Sequence, residues 1–174
     1  MSASQPGEST QYLTFFVAGE EYAAGILRVR EILQYQPVTR IPAAPPWIRG
    51  VMNLRGSVVP VVDLALKLGL AETAVTKWTC VLIVEAELEG QRAAIGMMAD
   101  AVSEVIDLRP EDVEPPPPFG TRVRIDSLLG MGKIPGKKLV LLLDLDRVLS
   151  AAELLPAAAA AGEVTAPGST PGAP

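Results

Sequence analysis

Short apolar runs separated by turn residues dominate the central part of the chain. Runs of β-branched and aliphatic residues bounded by glycine, proline or aspartate are typical of β-strands. The runs that predict strands are 12–17, 21–24, 80–84, 93–99, 102–108, 123–129 and 139–143. The pair 80–84 and 93–99 predicts a hairpin around Glu89-Gly90-Gln91, which 102–108 extends. Many short strands at close spacing favour barrels over a parallel sheet.

Two short stretches predict helical structure before the middle of the chain. Ile26, Val29 and Leu33 recur at i, i+3 and i+7, a spacing that places them on one face of a short helix. The stretch 41–50 carries prolines near its start and ends at Gly50. Proline suits the first turn of a helix and glycine its C-terminal cap, so one helical turn is predicted there.

The stretch that follows predicts a tight hairpin. Two apolar runs flank Gly56-Ser57, and glycine at the first central position is typical of a type II′ turn. Pro60 has no N–H to donate, so we expect it on an edge strand or beside a bulge. Further short helices are predicted at 64–68 and at 145–155, the second one capped by an aspartate.

These elements divide the chain into three regions. Residues 1–11 are polar and predict a flexible leader, and residues 156–174, rich in alanine and proline, predict a disordered tail. The folded region is 12–155, with two hairpin-rich subdomains at roughly 12–70 and 79–145. The predicted fold class is therefore mostly β, with two small barrels and a few short helices.

Composition and charge exclude several classes of function. The net charge is −5, with 15 basic and 20 acidic residues, so a basic surface for nucleic acid or anionic membrane is not expected. The chain has no histidine and only Cys80, which removes Cys/His metal clusters and a Ser-His-Asp triad. The aspartates lie mostly at strand ends and helix starts, where they favour turns and caps. We expect no enzyme, no cofactor and no metal.

The apolar runs and the single cysteine also indicate where in the cell the protein is expected. The N-terminal residues lack an apolar signal core, and no apolar run approaches the 18 residues of a membrane span. Cys80 lies among apolar residues and is interpreted as a buried thiol in a reducing compartment. The expectation is a cytoplasmic protein with no direct insertion into the membrane.

The stretch 40–64 resembles the central signature of CheW-like domains. It carries Arg40-Ile41-Pro42, Ile48-Arg49-Gly50-Val51, Asn53-Leu54-Arg55-Gly56 and Val59-Pro60-Val61-Val62-Asp63-Leu64 in that order. The flanking segments that also resemble the family are 21–23, 26–32, 100–105, 128–130 and 139–144. The resemblance covers about 12–150, and the tail and the four prolines at 115–118 lie outside it.

This resemblance implies two intertwined SH3-like five-stranded β-barrels packed on each other. It also implies a non-enzymatic scaffold that binds the signalling tip of a methyl-accepting chemoreceptor and the regulatory domain of a CheA-type histidine kinase. Its location would be the cytoplasmic side of membrane-associated receptor arrays. The alternatives are a CheW-like adaptor of a non-flagellar pathway (pilus motility or development) and, from another class, a small nucleic-acid-binding β-barrel. Few aromatics and an acidic balance speak against the latter.

Three polar residues are candidates for partner binding. Arg55 stands beside the predicted turn, where an arginine is either a solvated hairpin residue or an interface anchor that binds carboxylates through its planar fork. The resemblance favours the second interpretation. Asn53 is predicted on the same strand face as Arg55, either bonding a partner or stabilising the turn. Glu31 matches a family position that bears on partner binding and is not expected in the core.

Five further candidates are apolar residues or glycine. Val29 and Ile32 of the predicted first helix are more often core than interface, although the resemblance also connects Val29 with partner binding. Val102 and Val105 are interpreted first as strand core and second as the lining of a binding groove. Gly50 matches a family position whose surroundings affect kinase coupling, and a helix C-terminal cap would also explain it.

Overall fold

The protein, described by a computed structural model, is built from two β-sheets. The structure describes residues 9–88, 90–116, 128–134, 136 and 139–149. The strands are β1 (Thr10–Val17), β2 (Glu20–Gly25), β3 (Val29–Gln34), β4 (Ile48–Leu54), β5 (Ser57–Asp63), β6 (Cys80–Leu88), β7 (Gln91–Ala99), β8 (Ala101–Leu108), β9 (Val113–Glu114), β10 (Leu128–Lys133) and β11 (Leu139–Leu143). The helices are α1 (Leu64–Lys67) and α2 (Leu145–Val148), with single 3₁₀ turns at Ile26–Arg28 and Pro110–Asp112.

The two sheets take their strands from different parts of the chain. The five-stranded sheet is formed by β3 to β7, which follow one another along the chain. Their order in the sheet is β3-β6-β7-β5-β4. The six-stranded sheet has the order β8-β1-β2-β11-β10-β9 and unites the two ends of the described chain. The predicted subdomains 12–70 and 79–145 each contribute strands to both sheets. The mostly β fold class with a few short helices is confirmed, whereas closure of each sheet into an SH3-like barrel stays a prediction.

The largest apolar cluster joins the two sheets, and we call it the inter-sheet core. It is formed by buried side chains of both sheets, among them Phe15, Tyr22, Leu82, Met97 and Leu143. Two smaller clusters belong to one sheet each: the buried residues of one are aliphatic residues and Met98, and those of the other are aliphatic only. A fully buried side chain of this size contributes about 1.5–3 kcal/mol, so the inter-sheet core holds the two sheets together.

The helix predicted from Ile26, Val29 and Leu33 is wrong beyond its first turn. Only Ile26–Arg28 is helical, as a 3₁₀ turn, and Val29–Gln34 forms β3. Exposure alternates along β3, with Val29 and Leu33 on the more buried face. Residues four apart share a face in a strand as well as in a helix, so the spacing was ambiguous. Antiparallel pairing with β6 makes this segment a strand rather than a helix.

The helical turn predicted for 41–50 is also wrong. The segment makes bends and turns, and β4 begins at Ile48. The Ile48 N–H donates to the Pro45 carbonyl over 3.0 Å, which closes a turn. Three prolines supply no N–H for helical hydrogen bonds. Gly50 therefore lies inside a strand rather than at a helix end.

The hairpin of β4 and β5 is present, but its turn differs from the prediction. Arg55 and Gly56 are the two turn residues, with φ of 53° and 87°. Positive φ at both positions is the type I′ pattern, not type II′. Pro60 lies on β5, an inner strand, just before Val61, where the pairing with β7 begins.

Other predicted elements have mixed outcomes. The β6–β7 hairpin and the short helix α1 are confirmed. Strand β8 pairs with β1 of the other sheet and does not extend that hairpin. Strand β1 already begins at Thr10, inside the predicted leader. Helix α2 covers the start of the predicted 145–155 helix, and residues 123–127 and 150–174 lie outside the described residues.

Candidate functional site

Arg55 and Glu31 form a bidentate ion pair at the surface. Arg55 Nη1 lies 2.5 Å from Glu31 Oε2, and Nη2 lies 2.8 Å from Oε1. The arginine side chain is 71% exposed and the glutamate side chain 26%. The hydrogen bond and the charge of Arg55 hold the pKa of Glu31 below its usual range, and the same contact raises the pKa of Arg55. Both groups are therefore charged at neutral pH.

This pair connects distant parts of the five-stranded sheet. Glu31 lies on β3 and Arg55 in the β4–β5 turn, and β3 and β4 are the two ends of the described strand order. The sheet must curve strongly for these ends to meet. The sequence predicted the two residues as separate contacts for a partner, whereas the structure makes each the partner of the other.

Asn53 stabilises the turn that carries Arg55. Its Oδ1 accepts the Gly56 N–H over 2.9 Å. Such a side chain to backbone bond is a common way for asparagine to fix a turn. Arg55 lies in the turn and Asn53 in β4, so the prediction that they share a strand face is wrong. The local interpretation of Asn53 fits its contact.

Gly50 is required by a close approach of the backbone. A Cβ at this position would lie 2.3 Å from the Thr39 carbonyl oxygen and 2.8 Å from its carbon. Thr39 exchanges two backbone hydrogen bonds of 2.9 and 2.8 Å with Val51, which covers the outer edge of β4. Only glycine leaves room for this covering segment.

The apolar candidates divide into a partly buried and an exposed pair. Val29 on β3 and Val102 on β8 pack against the inter-sheet core from different sheets. Ile32 on β3 is 44% exposed and Val105 on β8 is 51% exposed. The core interpretation is wrong for Ile32 and Val105, because their strands turn these positions to solvent. Those two are the candidates for contact with a partner.

Exposed apolar residues that the sequence reasoning missed lie elsewhere. Leu27 in the first 3₁₀ turn is 94% exposed, and Trp78 is 67% exposed in the segment before β6. The exposure of Leu27 could have been inferred from the sequence, because Leu27 lies outside the predicted apolar stripe of Ile26, Val29 and Leu33. Trp78 is flanked by polar residues, a context that disfavours burial.

A buried polar network lies at the end of the β4–β5 hairpin opposite its turn. Asp63 is fully buried and caps α1 by accepting the N–H groups of Ala65 and Leu66. It also accepts from the backbone N–H of Thr73 at 3.0 Å, the Thr73 hydroxyl at 2.8 Å and Arg49 Nη1 at 3.2 Å. Arg49 in turn binds the carboxylate of Glu72 over 2.6 Å. Asp63 fits the general prediction that the aspartates serve as turn or cap residues, and it has a wider set of partners.

Neither a metal site nor a membrane span emerges from the described residues. Within that part of the chain, no group of three or more potential ligands is arranged to hold a metal ion. No helix there is long and apolar enough to cross a membrane.

Comparison with known proteins assigns the chain to a family. The family model for the CheW-like domain matches residues 11–153. The chemotaxis protein CheW of Klebsiella aerogenes is 36% identical over 144 residues, which cover 83% of this chain and 84% of that protein. A probable chemotaxis protein CheW of Rhizobium etli is 29% identical over 143 residues, or 82% of this chain and 89% of that protein.

A solved structure agrees with this relationship. The crystal structure of the scaffolding protein TtCheW from Thermoanaerobacter tengcongensis superposes with a TM-score of 0.73 at 32% sequence identity. The match covers 84% of this chain and 98% of that chain. The match to the family model spans strands of both sheets. The chain belongs to the family of CheW-like domain proteins.

Proposed function

We propose that the protein is a non-enzymatic scaffold that couples chemoreceptors to a CheA-type histidine kinase. The observation that carries the proposal is its identity of 36% with a chemotaxis protein CheW across 83% of the chain. The candidate residues support it in kind, because they offer an oriented ion pair and exposed apolar side chains rather than a catalytic constellation. We place the protein in the cytoplasm, where the signalling tips of such receptors and their kinase lie.

Reconstitution tests the proposal directly. A receptor signalling-tip assembly and a CheA-type kinase from the same organism are mixed with and without the protein, and kinase autophosphorylation is measured. We expect receptor control of the kinase only in the complete mixture. Equal kinase activity with and without the protein, together with no retention of either partner on the immobilised protein, would refute the coupling function. The receptors and kinase retained from native extract identify the pathway.

Within this function, we assign the partner contact to the exposed Arg55–Glu31 pair. Ile32, which points to the opposite face of β3 from Glu31, and Val105 on the other sheet are the exposed apolar candidates. A side chain with a planar fork can bind a partner carboxylate, and exposed isoleucine and valine can cover apolar positions on a partner helix. Arg55 uses Nη1 and Nη2 for Glu31, so part of its donor set stays available to a partner.

Arg55→Glu is the sharpest test of this surface. The change reverses the charge and sets a second carboxylate beside Glu31, so binding of a receptor-tip fragment should weaken on the order of thirtyfold or more. Arg55→Lys should be intermediate, since it keeps the charge and loses the fork. Isothermal titration gives the affinities, and circular dichroism melts report the fold.

A matched control separates local from general charge effects. Arg92→Glu makes the same charge change at a side chain that is 78% exposed and also pairs with a glutamate. We expect its affinity to stay within about twofold of the parent, as for a charge away from the interface. Parent affinity in well-folded Arg55→Glu would overturn the site assignment and leave the scaffold function intact.

A further inference from the structure

We propose that Arg28 is a positioning residue that clamps the two sheets in the relative orientation that partners recognise. The proposal rests on the proposed function, because it concerns how the contact surface is held. Arg28 ends the 3₁₀ turn that leads from β2 of the six-stranded sheet to β3 of the five-stranded sheet. It therefore occupies one of the covalent crossings between the sheets.

The guanidinium of Arg28 binds elements of both sheets at once. Its Nε and Nη2 donate to the Glu85 carbonyl of β6 over 3.2 and 2.7 Å. Nη2 also donates to Asp146 Oδ1 of α2 over 3.0 Å. Strand β6 belongs to the five-stranded sheet, and α2 directly follows β11 of the six-stranded sheet. One side chain thus joins the crossing segment, β6 and α2.

These contacts lie at a cleft in the surface. The cleft has a volume of about 430 Å³ and is lined by Arg28 together with Leu27, Ala86, Arg92 and Asp146. Beneath it, buried apolar residues of α2 pack into the inter-sheet core. Apolar packing is non-directional, whereas three hydrogen bonds from one planar group fix an angle. Loss of Arg28 should therefore loosen the orientation without unfolding the protein.

Orientation matters because the proposed contact surface lies on both sheets. Glu31, Ile32 and Arg55 belong to the five-stranded sheet, and Val105 belongs to the six-stranded sheet. A rigid partner can engage both groups only if their relative position is held. If the matching orientation is populated only one tenth of the time, the apparent affinity falls about tenfold.

The test compares Arg28→Met with Arg28→Lys and Asp146→Asn in the full chain. Methionine keeps part of the apolar stem and removes every donor, and lysine restores a charge without the fork. Asp146→Asn removes the charge of a side chain that is 72% exposed and keeps an oxygen that can accept the hydrogen bond from Arg28, so it serves as the mild control. Spin labels at Gln91→Cys on β7 and Asp107→Cys on β8 report the inter-sheet distance, while affinity for the receptor tip is titrated.

We expect Arg28→Met to broaden the distance distribution and to weaken binding on the order of tenfold, with a cooperative melt retained. Arg28→Lys should fall between Arg28→Met and the parent, and Asp146→Asn should stay within about twofold of the parent. An unchanged distance distribution in Arg28→Met, or a broadened one with parent affinity, would overturn the proposal. If Arg28→Met does not fold, the distances and affinity of Arg28→Lys decide in the same way. A parent protein that binds neither partner refutes the proposed function, and the distance measurement still decides whether Arg28 is a clamp.

Discussion

Asp63→Ala removes the centre of the buried network at the end of the β4–β5 hairpin opposite its turn. The lost carboxylate caps α1 and binds both the backbone N–H and the hydroxyl of Thr73. Arg49, whose side chain is only 17% exposed, loses its buried counter-charge and keeps as its charged partner Glu72, which is 64% exposed, besides a weak bond to the Thr73 carbonyl. The segment between α1 and β6 loses its main polar anchor to the rest of the sheet.

The expected loss of stability can be worked out from these contacts. Removal of an N-terminal cap costs about 1 kcal/mol, and removal of one partner of a buried ion pair costs about 3–5 kcal/mol. The two costs overlap, because the same carboxylate carries both contacts, so we expect a total of about 3–5 kcal/mol. For a domain of this size the midpoint of thermal unfolding should fall by roughly 10 °C or more.

A second capping aspartate supplies the control. Asp144 caps α2 by accepting the Arg147 N–H over 3.3 Å, and its side chain is 22% exposed. Asp144→Ala should cost only about 1 kcal/mol, the usual value for a lost cap. Asp63→Asn keeps the shape and the cap and loses the charge, so it should cost about 1.5–3 kcal/mol.

Chemical denaturation followed by circular dichroism measures all three variants, and a double-mutant cycle with Arg49→Ala isolates the ion pair. We expect Asp63 and Arg49 to be coupled by at least about 1 kcal/mol, as is usual for contacting charges in one network. Equal losses for Asp63→Ala and Asp144→Ala would refute the reasoning, because Asp63 would then act as an ordinary cap.

Further predictions concern four single positions. Gly50→Ala should destabilise by about 1–3 kcal/mol or more in denaturant titration, because its Cβ meets the backbone of Thr39; an unchanged midpoint would contradict this. Ala18→Gly should stabilise by about 0.5–1 kcal/mol, since Ala18 has φ of 53° in the β1–β2 turn; a lower melting midpoint would count against it. Burial raises the pKa of the Cys80 thiol to about 11, so a maleimide at pH 8 should label it only after unfolding, and rapid labelling of the folded protein would disprove burial. This thiol also makes the unfolding free energy fall as the pH rises from about 9 to about 11, because the folded state holds the proton more tightly. Glu31→Gln should weaken receptor-tip binding less than reversal of its arginine partner does, and titration of the two variants gives the order.

Elements governed by local chemistry were predictable from the sequence. The β6–β7 hairpin and the cap at the start of α1 follow from turn and cap residues a few positions apart. The first helix failed because Val29 and Leu33 fit a strand face as well as a helix face. Long-range pairing with β6 resolves that ambiguity, and no local pattern contains it.

The sheet topology could not be predicted from local patterns either, because it also depends on long-range pairing. The parallel pairings of β2 with β11 and of β5 with β7 join segments far apart in the chain. The exposure of Ile32 could not be predicted from the sequence, because isoleucine is usually buried. Ile32 is exposed because it lies on the more exposed face of β3. The contact between Glu31 and Arg55 spans 24 residues and depends on the curvature of the sheet.

The surroundings of Arg55 hold its side chain in a fixed orientation. The type I′ turn and the Asn53 bond fix the backbone at Arg55, and Glu31 fixes the end of its side chain. A long side chain held at both ends loses little rotational freedom when a partner binds, so more of the interaction energy appears as affinity. Because Glu31 stays ionised, this arrangement persists at neutral pH, and a partner that binds Arg55 as proposed would meet a side chain that is already oriented.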